Sequence, residues 1–145
     1  MNLSELTPDT ALAALLDGNV EVQTSEKSSR KVRTYAQAEQ PQTGLADEFI
    51  SVFYNGTVRS LTRPLGIFRG NLAITLYCKS NSDGTAKKKR IASMIEQCEF
   101  LVNGTSLFGF YFELDPSNVI TPTTVNLTNG YAITVLNVKW NTIHE

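Results

Sequence analysis

The sequence predicts an α+β fold: a mainly antiparallel sheet with two helices packed on one face. Three observations predict it. Apolar residues recur at helical spacing in two separate places, Leu12-Leu15-Leu16 and Ile91-Met94-Ile95-Cys98. They alternate at strand spacing in others, with Leu72, Ile74, Leu76 and Cys78 the clearest case. Two Asn-Gly dipeptides, Asn55-Gly56 and Asn129-Gly130, are flanked by strand-forming residues and predict hairpin turns, because both central residues of such a turn need positive φ.

The elements follow in order. Residues 9–17 predict a short helix, with Thr7 as N-cap, Pro8 at the first helical position and Gly18-Asn19 as the stop. Val20 to Gln23 predicts a short strand. Residues 23–46 are rich in Ser, Thr, Gln, Lys and Arg and poor in aliphatic side chains, a composition that buries too little apolar surface to offset its ordering entropy. They predict a polar arm or long loop, dispensable for folding and suited to contacts with other chains through Lys27, Arg30, Lys31 and Arg33.

Strand character returns at Glu48. A hairpin is expected to run out to Tyr54, turn at Asn55-Gly56 and return through Thr57–Leu61, and a further strand covers Asn71–Lys79. After a loop at 80–85 with several candidate N-caps, a helix is expected from Ala86 to Val102, closed by Asn103-Gly104. Leu107–Leu114 predicts an aromatic strand with Phe108, Phe110 and Phe112 on one face. The end of the chain predicts a hairpin of Thr123–Thr128, the Asn129-Gly130 turn and Tyr131–Trp140.

A length of 145 residues fits one domain, with enough chain to build a core without metal or disulfide. The net charge of −1 carries no overall nucleic-acid signature. Cys78 and Cys98 sit in apolar stretches and read as small core side chains; a disulfide between them is the alternative, and their spacing matches no zinc pattern. The N-terminal residues lack the basic and apolar regions of a signal peptide, and no apolar run is long enough to span a membrane. The Asn-X-Ser/Thr triplets therefore read as chance matches.

The residues of catalysis are sparse. His144, next to the last residue, is the only histidine, which leaves serine or cysteine nucleophiles without a base of that type. Asp47/Glu48, Glu96/Glu99 and Glu113/Asp115 are paired carboxylates whose plain readings are a strand entry, a solvated helix face and a turn. No phosphate-cradling glycine motif is present. The expectation is a protein that is not an enzyme and takes no cofactor or metal. One local feature stands out: Lys87-Lys88-Lys89-Arg90 opens the second helix, where cations oppose the helix dipole at about 0.3–1 kcal/mol each. The cluster reads either as a solvated helix start or as a patch for an acidic partner or for nucleic acid passing through a lumen.

The order of elements, with Glu48-Phe49-Ile50-Ser51-Val52-Phe53-Tyr54, Gly70-Asn71-Leu72-Ala73-Ile74-Thr75-Leu76-Tyr77, the helix at 86–102 and Gly130-Tyr131-Ala132-Ile133-Thr134-Val135, resembles the tail terminator (tail completion) proteins of tailed bacteriophages. The resemblance is one of pattern over about residues 9–140. It implies a structural virion protein: a homo-oligomeric ring, hexameric in that family, at the head-proximal end of the tail. Such a ring stops tube polymerisation, touches tail-tube and neck proteins and lets DNA through its lumen. It further implies assembly in the host bacterial cytoplasm and no catalytic residues. Hairpin tips at Asn55, Gly56, Asn129 and Gly130 join the basic arm as expected subunit contacts. The alternatives are another head–tail connector or neck ring subunit, and a monomeric protein-binding module.

Overall fold

The structure, a computed structural model, describes residues 7–36, 41, 44–59, 68–116 and 130–142. The described residues form two helices and eight strands: α1 (Pro8–Leu16), β1 (Glu21–Ser25), β2 (Ser28–Lys31), β3 (Arg33–Ala36), β4 (Glu48–Arg59), β5 (Phe68–Lys79), α2 (Lys88–Val102), β6 (Thr105–Leu107), β7 (Phe110–Leu114) and β8 (Tyr131–Thr142). Strands β3-β4-β5-β8-β7-β6 form one six-stranded sheet, and β1-β2 a separate ribbon. The large sheet is mixed. β3 runs parallel to β4, and every other pairing is antiparallel.

Register decides which side chains share a face, because directly opposed residues project the same way. Ile50 pairs Leu76 and Val52 pairs Ile74; Leu72 pairs Val138 and Ile74 pairs Leu136. These residues join Leu12 and Leu16 of α1 and Ile91, Met94, Cys98 and Val102 of α2 in one buried cluster. Both helices therefore lie on one face of the sheet, α1 over β3 and β4 and α2 over β5 and β7. The opposite face carries Phe49 stacked on Tyr77 at 4.3 Å, with Tyr131 edge-on to both.

Helix α1 starts as its sequence dictates. Pro8 occupies the first turn, and the Thr7 N–H donates to Thr10 Oγ1 at 3.1 Å. It stops at Gly18, whose φ of +75° suits a residue without Cβ. Just before it, the Asp17 carboxylate accepts from Arg33 Nε and from the Thr34 N–H, each at 3.0 Å, which occupies part of the outer edge of β3.

Four expectations need correction. Residues 23–46 are not a free arm as far as they are described. They form the β1–β2 ribbon and β3, rooted by buried Val20, Val22, Val32 and Ala36. The ribbon's polar surface hides its strands from a hydrophobic pattern. Its order comes from its root and from its contacts with α2, where the Gln97 carboxamide accepts from the Glu21 N–H at 2.8 Å and donates to the Glu21 carbonyl at 2.7 Å, taking the place of a neighbouring strand. Removing this segment would strip buried side chains from the core, so it is not dispensable.

Second, Asn55-Gly56 is not a turn. β4 runs through it to Arg59, pairing with β5 as far as Phe68, and the register slips by one residue between Tyr54 and Gly56. A glycine inside a strand marks a bulge as readily as a turn. Here a turn at 55–56 would have left Phe68–Asn71 without their partners in β4.

Third, the aromatic strand is two strands. Phe108-Gly109 turns β6 into β7, so Phe108 does not share the face of Phe112. Fourth, none of the candidate caps before α2 is used. The N-cap is Lys87, with no side-chain cap. At the second Asn-Gly, Gly130 immediately precedes β8 with φ +81°. Asn129, the expected 123–128 strand and His144 lie outside the described residues.

Candidate functional site

The fold brings together two basic segments that are far apart in sequence. The β1–β2 ribbon carries Lys27, Arg30 and Lys31, and β3 continues with Arg33. The start of α2 carries Lys87, Lys88, Lys89 and Arg90. These two groups of four are more than half of the 13 lysines and arginines. The joint between them is Glu48, the first residue of β4, whose side chain has no exposed surface. One carboxylate oxygen accepts from Arg30, and the other accepts from Arg90 Nη1 at 2.5 Å. Arg90 Nη2 also donates to the Gln23 carbonyl of β1 at 3.1 Å. A single buried carboxylate thus ties ribbon, helix and sheet at one point.

This geometry sorts the expected site residues by what they are free to do. Arg30 and Arg90 are held by Glu48. Arg33 is held by Asp17 and stacks over the Tyr35 ring at 5.7 Å. These three arginines are structural cations. Lys27, Lys31, Lys87, Lys88 and Lys89 form no ion pair among the described residues, so the basic surface rests on lysines. Asn55 and Gly56 lie within β4, and Gly130 leads into β8.

Between β1 and the first turn of α2 lies a cleft of about 780 Å³, whose lining includes Gln23, Ser25, Glu26, Lys87, Lys88 and Lys89. The electrostatics of its helical wall are unbalanced. No acidic residue lies in the first turn of α2, and no side chain caps it. The nearest candidate, Asp83, accepts from the Thr85 hydroxyl at 2.6 Å and from the Thr85 N–H at 3.0 Å. Those bonds, the hydroxyl's first, hold the Asp83 carboxyl below the usual carboxylate range. Helix dipole and lysine ammonium groups therefore present positive potential together; Glu48 is engaged by Arg90 and Arg30, and Glu26 is the acidic residue of the cleft lining.

The protein matches no family model and no curated protein.

Elsewhere, the described residues bring together few groups with chemical potential. No set of three or more His, Cys, Asp or Glu side chains among them is placed to hold a metal ion. No helix among them is long and apolar enough to cross a membrane. Both cysteines are buried and unbridged. Burial pushes the Cys98 thiol up to about 12 and, with the Glu48 charge adding to it, the Cys78 thiol up to about 11. Such thiols are poor nucleophiles.

Sequence reasoning missed the exposed aromatics. Phe100 projects from the outer face of α2 and is 86% exposed, and Phe108, 46% exposed, sits at the β6–β7 tip. Phe108 has φ +52°, the only non-glycine in the left-handed region among the described residues. The available signal was Gly109 in the middle of an apparent strand. For Phe100 it was an aromatic on the polar side of the α2 stripe, beside Glu96 and Glu99.

Proposed function

We propose that the chain is a structural, self-associating subunit of a virion: a ring at the head-proximal end of a phage tail that ends tube polymerisation and meets the neck. The observation that carries self-association is Phe100. A large apolar side chain almost fully in water, on a helix whose other exposed residues are Lys88, Lys89, Ala92, Ser93 and Glu96, is the kind of anchor that interfaces bury. Two further features support the reading. Among the described residues β6 is an edge of the six-stranded sheet, and an edge strand can accept a neighbouring chain. The strained Phe108 tip at that edge spends conformational energy to present an aromatic ring. The assignment to a phage tail rests on the element order, α1, the β4–β5 hairpin, α2 and a closing strand β8, which is the order of the resemblance described above.

The test is the mass of the purified protein by light scattering over a range of concentration and salt. A discrete species of about six copies with a central opening in electron micrographs is expected. Phe100→Asp should reduce the species to monomer while leaving the circular dichroism spectrum of the fold unchanged, because the side chain is in water within the single chain. A monomer at every concentration, or an oligomer untouched by Phe100→Asp, would overturn the reading.

A further inference from the structure

We propose that the cleft between β1 and the start of α2 is a docking groove for an extended, acidic polypeptide segment of a partner protein. The inference is independent of the ring reading, since the groove lies within one chain and would serve a monomer equally.

Three observations carry it. The first is charge: Lys87, Lys88 and Lys89 line the groove without an ion pair among the described residues, and Glu26 is its one acidic lining residue. The protein carries a net charge of −1, so this concentration of positive potential is local. The second is the disposition of the lysines. Lys88 and Lys89 are consecutive helical residues and project about 100° apart, and Lys87 precedes them as the N-cap with non-helical backbone, so the three ammonium groups are spread along the wall. One compact anion cannot meet all three, whereas a flexible chain bearing several carboxylates can. The third is the opposite wall. Gln23, Thr24 and Ser25 line it from β1 with neutral polar side chains that repel no carboxylate, although Arg90 already holds the Gln23 carbonyl and the Thr24 hydroxyl donates to the Ser28 carbonyl at 3.2 Å.

The same details disfavour nucleic acid. Bidentate phosphate recognition is the work of arginine, and Arg30, Arg33 and Arg90 are occupied by Glu48 and Asp17. No aromatic ring lines the groove, so no base can stack there.

The experiment uses the full chain and fluorescence anisotropy with a labelled peptide of about ten alternating Asp and Glu residues. A labelled DNA duplex is run in parallel at the same salt, and inorganic phosphate serves as competitor. Peptide binding that weakens with salt is expected. The triple variant Lys87→Ser/Lys88→Ser/Lys89→Ser should lose about tenfold in affinity, since exposed pairs each contribute a factor of about two. The triple Lys→Arg variant should retain binding, and Lys79→Ser/Lys139→Ser, on the sheet, should change nothing. Because the three lysines oppose the helix dipole, the Ser variant should melt no lower than the parent, which separates lost binding from lost folding. Absence of peptide binding, binding indifferent to the triple Ser change, tighter binding of duplex than of peptide, or displacement by phosphate alone would each overturn the proposal.

Discussion

Replacing Glu48 by Gln tests whether the buried carboxylate holds the ribbon, α2 and the sheet together. Both oxygens of Glu48 are acceptors, one for Arg30 and one for Arg90. An amide keeps the shape but turns one acceptor into a donor, so one guanidinium must face an N–H₂ group. The two arginines are not equivalent: the Arg90 side chain is 18% exposed, and that of Arg30 is 43% exposed. Water can rescue Arg30, and its pair is worth at most about 1 kcal/mol after screening. Arg90 has much less recourse, and leaving a mostly buried cation without its counter-charge costs about 3 kcal/mol. Glu48→Gln should therefore cost about 3 kcal/mol, Arg90→Met nearly as much because it strands the Glu48 charge, and Arg30→Met about 1 kcal/mol or less. With a urea m-value of about 2 kcal/mol/M for a domain this size, Glu48→Gln should lower the unfolding midpoint by about 1.5 M. The double change Glu48→Met/Arg90→Met should cost much less than the sum of the singles, because it removes both buried charges at once. Additive costs, or a larger loss from Arg30→Met than from Arg90→Met, would refute the reasoning.

Two further predictions concern local strain and pH. Phe108→Asn should raise stability by about 0.5–1 kcal/mol, measured by urea midpoint, because Asn tolerates the left-handed conformation better than Phe and the lost ring is half in water. Alkaline stability should follow the buried thiols. In the folded state they stay protonated to about 11 and about 12, whereas in the unfolded chain they ionise near their ordinary value of 9. Their contribution is thus complete below pH 9 and is lost as pH rises from 9 towards 12. Tyr54 and Tyr131, raised chiefly by burial, act in the same direction. Urea midpoints in reducing buffer should fall above pH 9, and less steeply in Cys98→Ala; a flat profile would contradict the burial of Cys98.

Much of the fold was legible because periodicity reports burial. Leu72, Ile74, Leu76 and Cys78 alternate because one face of β5 meets the helices, and Ile91, Met94, Ile95 and Cys98 recur because one face of α2 meets the sheet. The misses share a cause: order supplied from elsewhere in the chain. The ribbon looked unstructured because its strands are held by Gln97 and Glu48 rather than by a stripe of their own. Asn55-Gly56 looked like a turn because the dipeptide is locally ambiguous, and only the distant partner strand makes it a bulge. For the site, the sequence displayed both basic clusters but not their adjacency. Nor could it show that Arg30, Arg33 and Arg90 are already engaged while the lysines are not. A buried glutamate between two arginines leaves no local trace when its partners lie eighteen residues before it and forty-two after it.

The position of β8 has a consequence for how the chain reaches this state. Leu76 in β5 pairs with Thr134, and β8 then carries β7 on its other side, so a strand from far along the chain occupies the middle of the sheet. During synthesis the β4–β5 hairpin can form early, but the inner edge of β5 then waits, apolar and unpaired, until β8 has left the ribosome. Pairings that distant in sequence carry a large closure entropy and form on the millisecond-to-second scale. The nascent chain therefore passes through an interval in which a long adhesive edge is open to other copies of itself, and expression at lower temperature or with chaperones that shield such edges should favour folded over aggregated product.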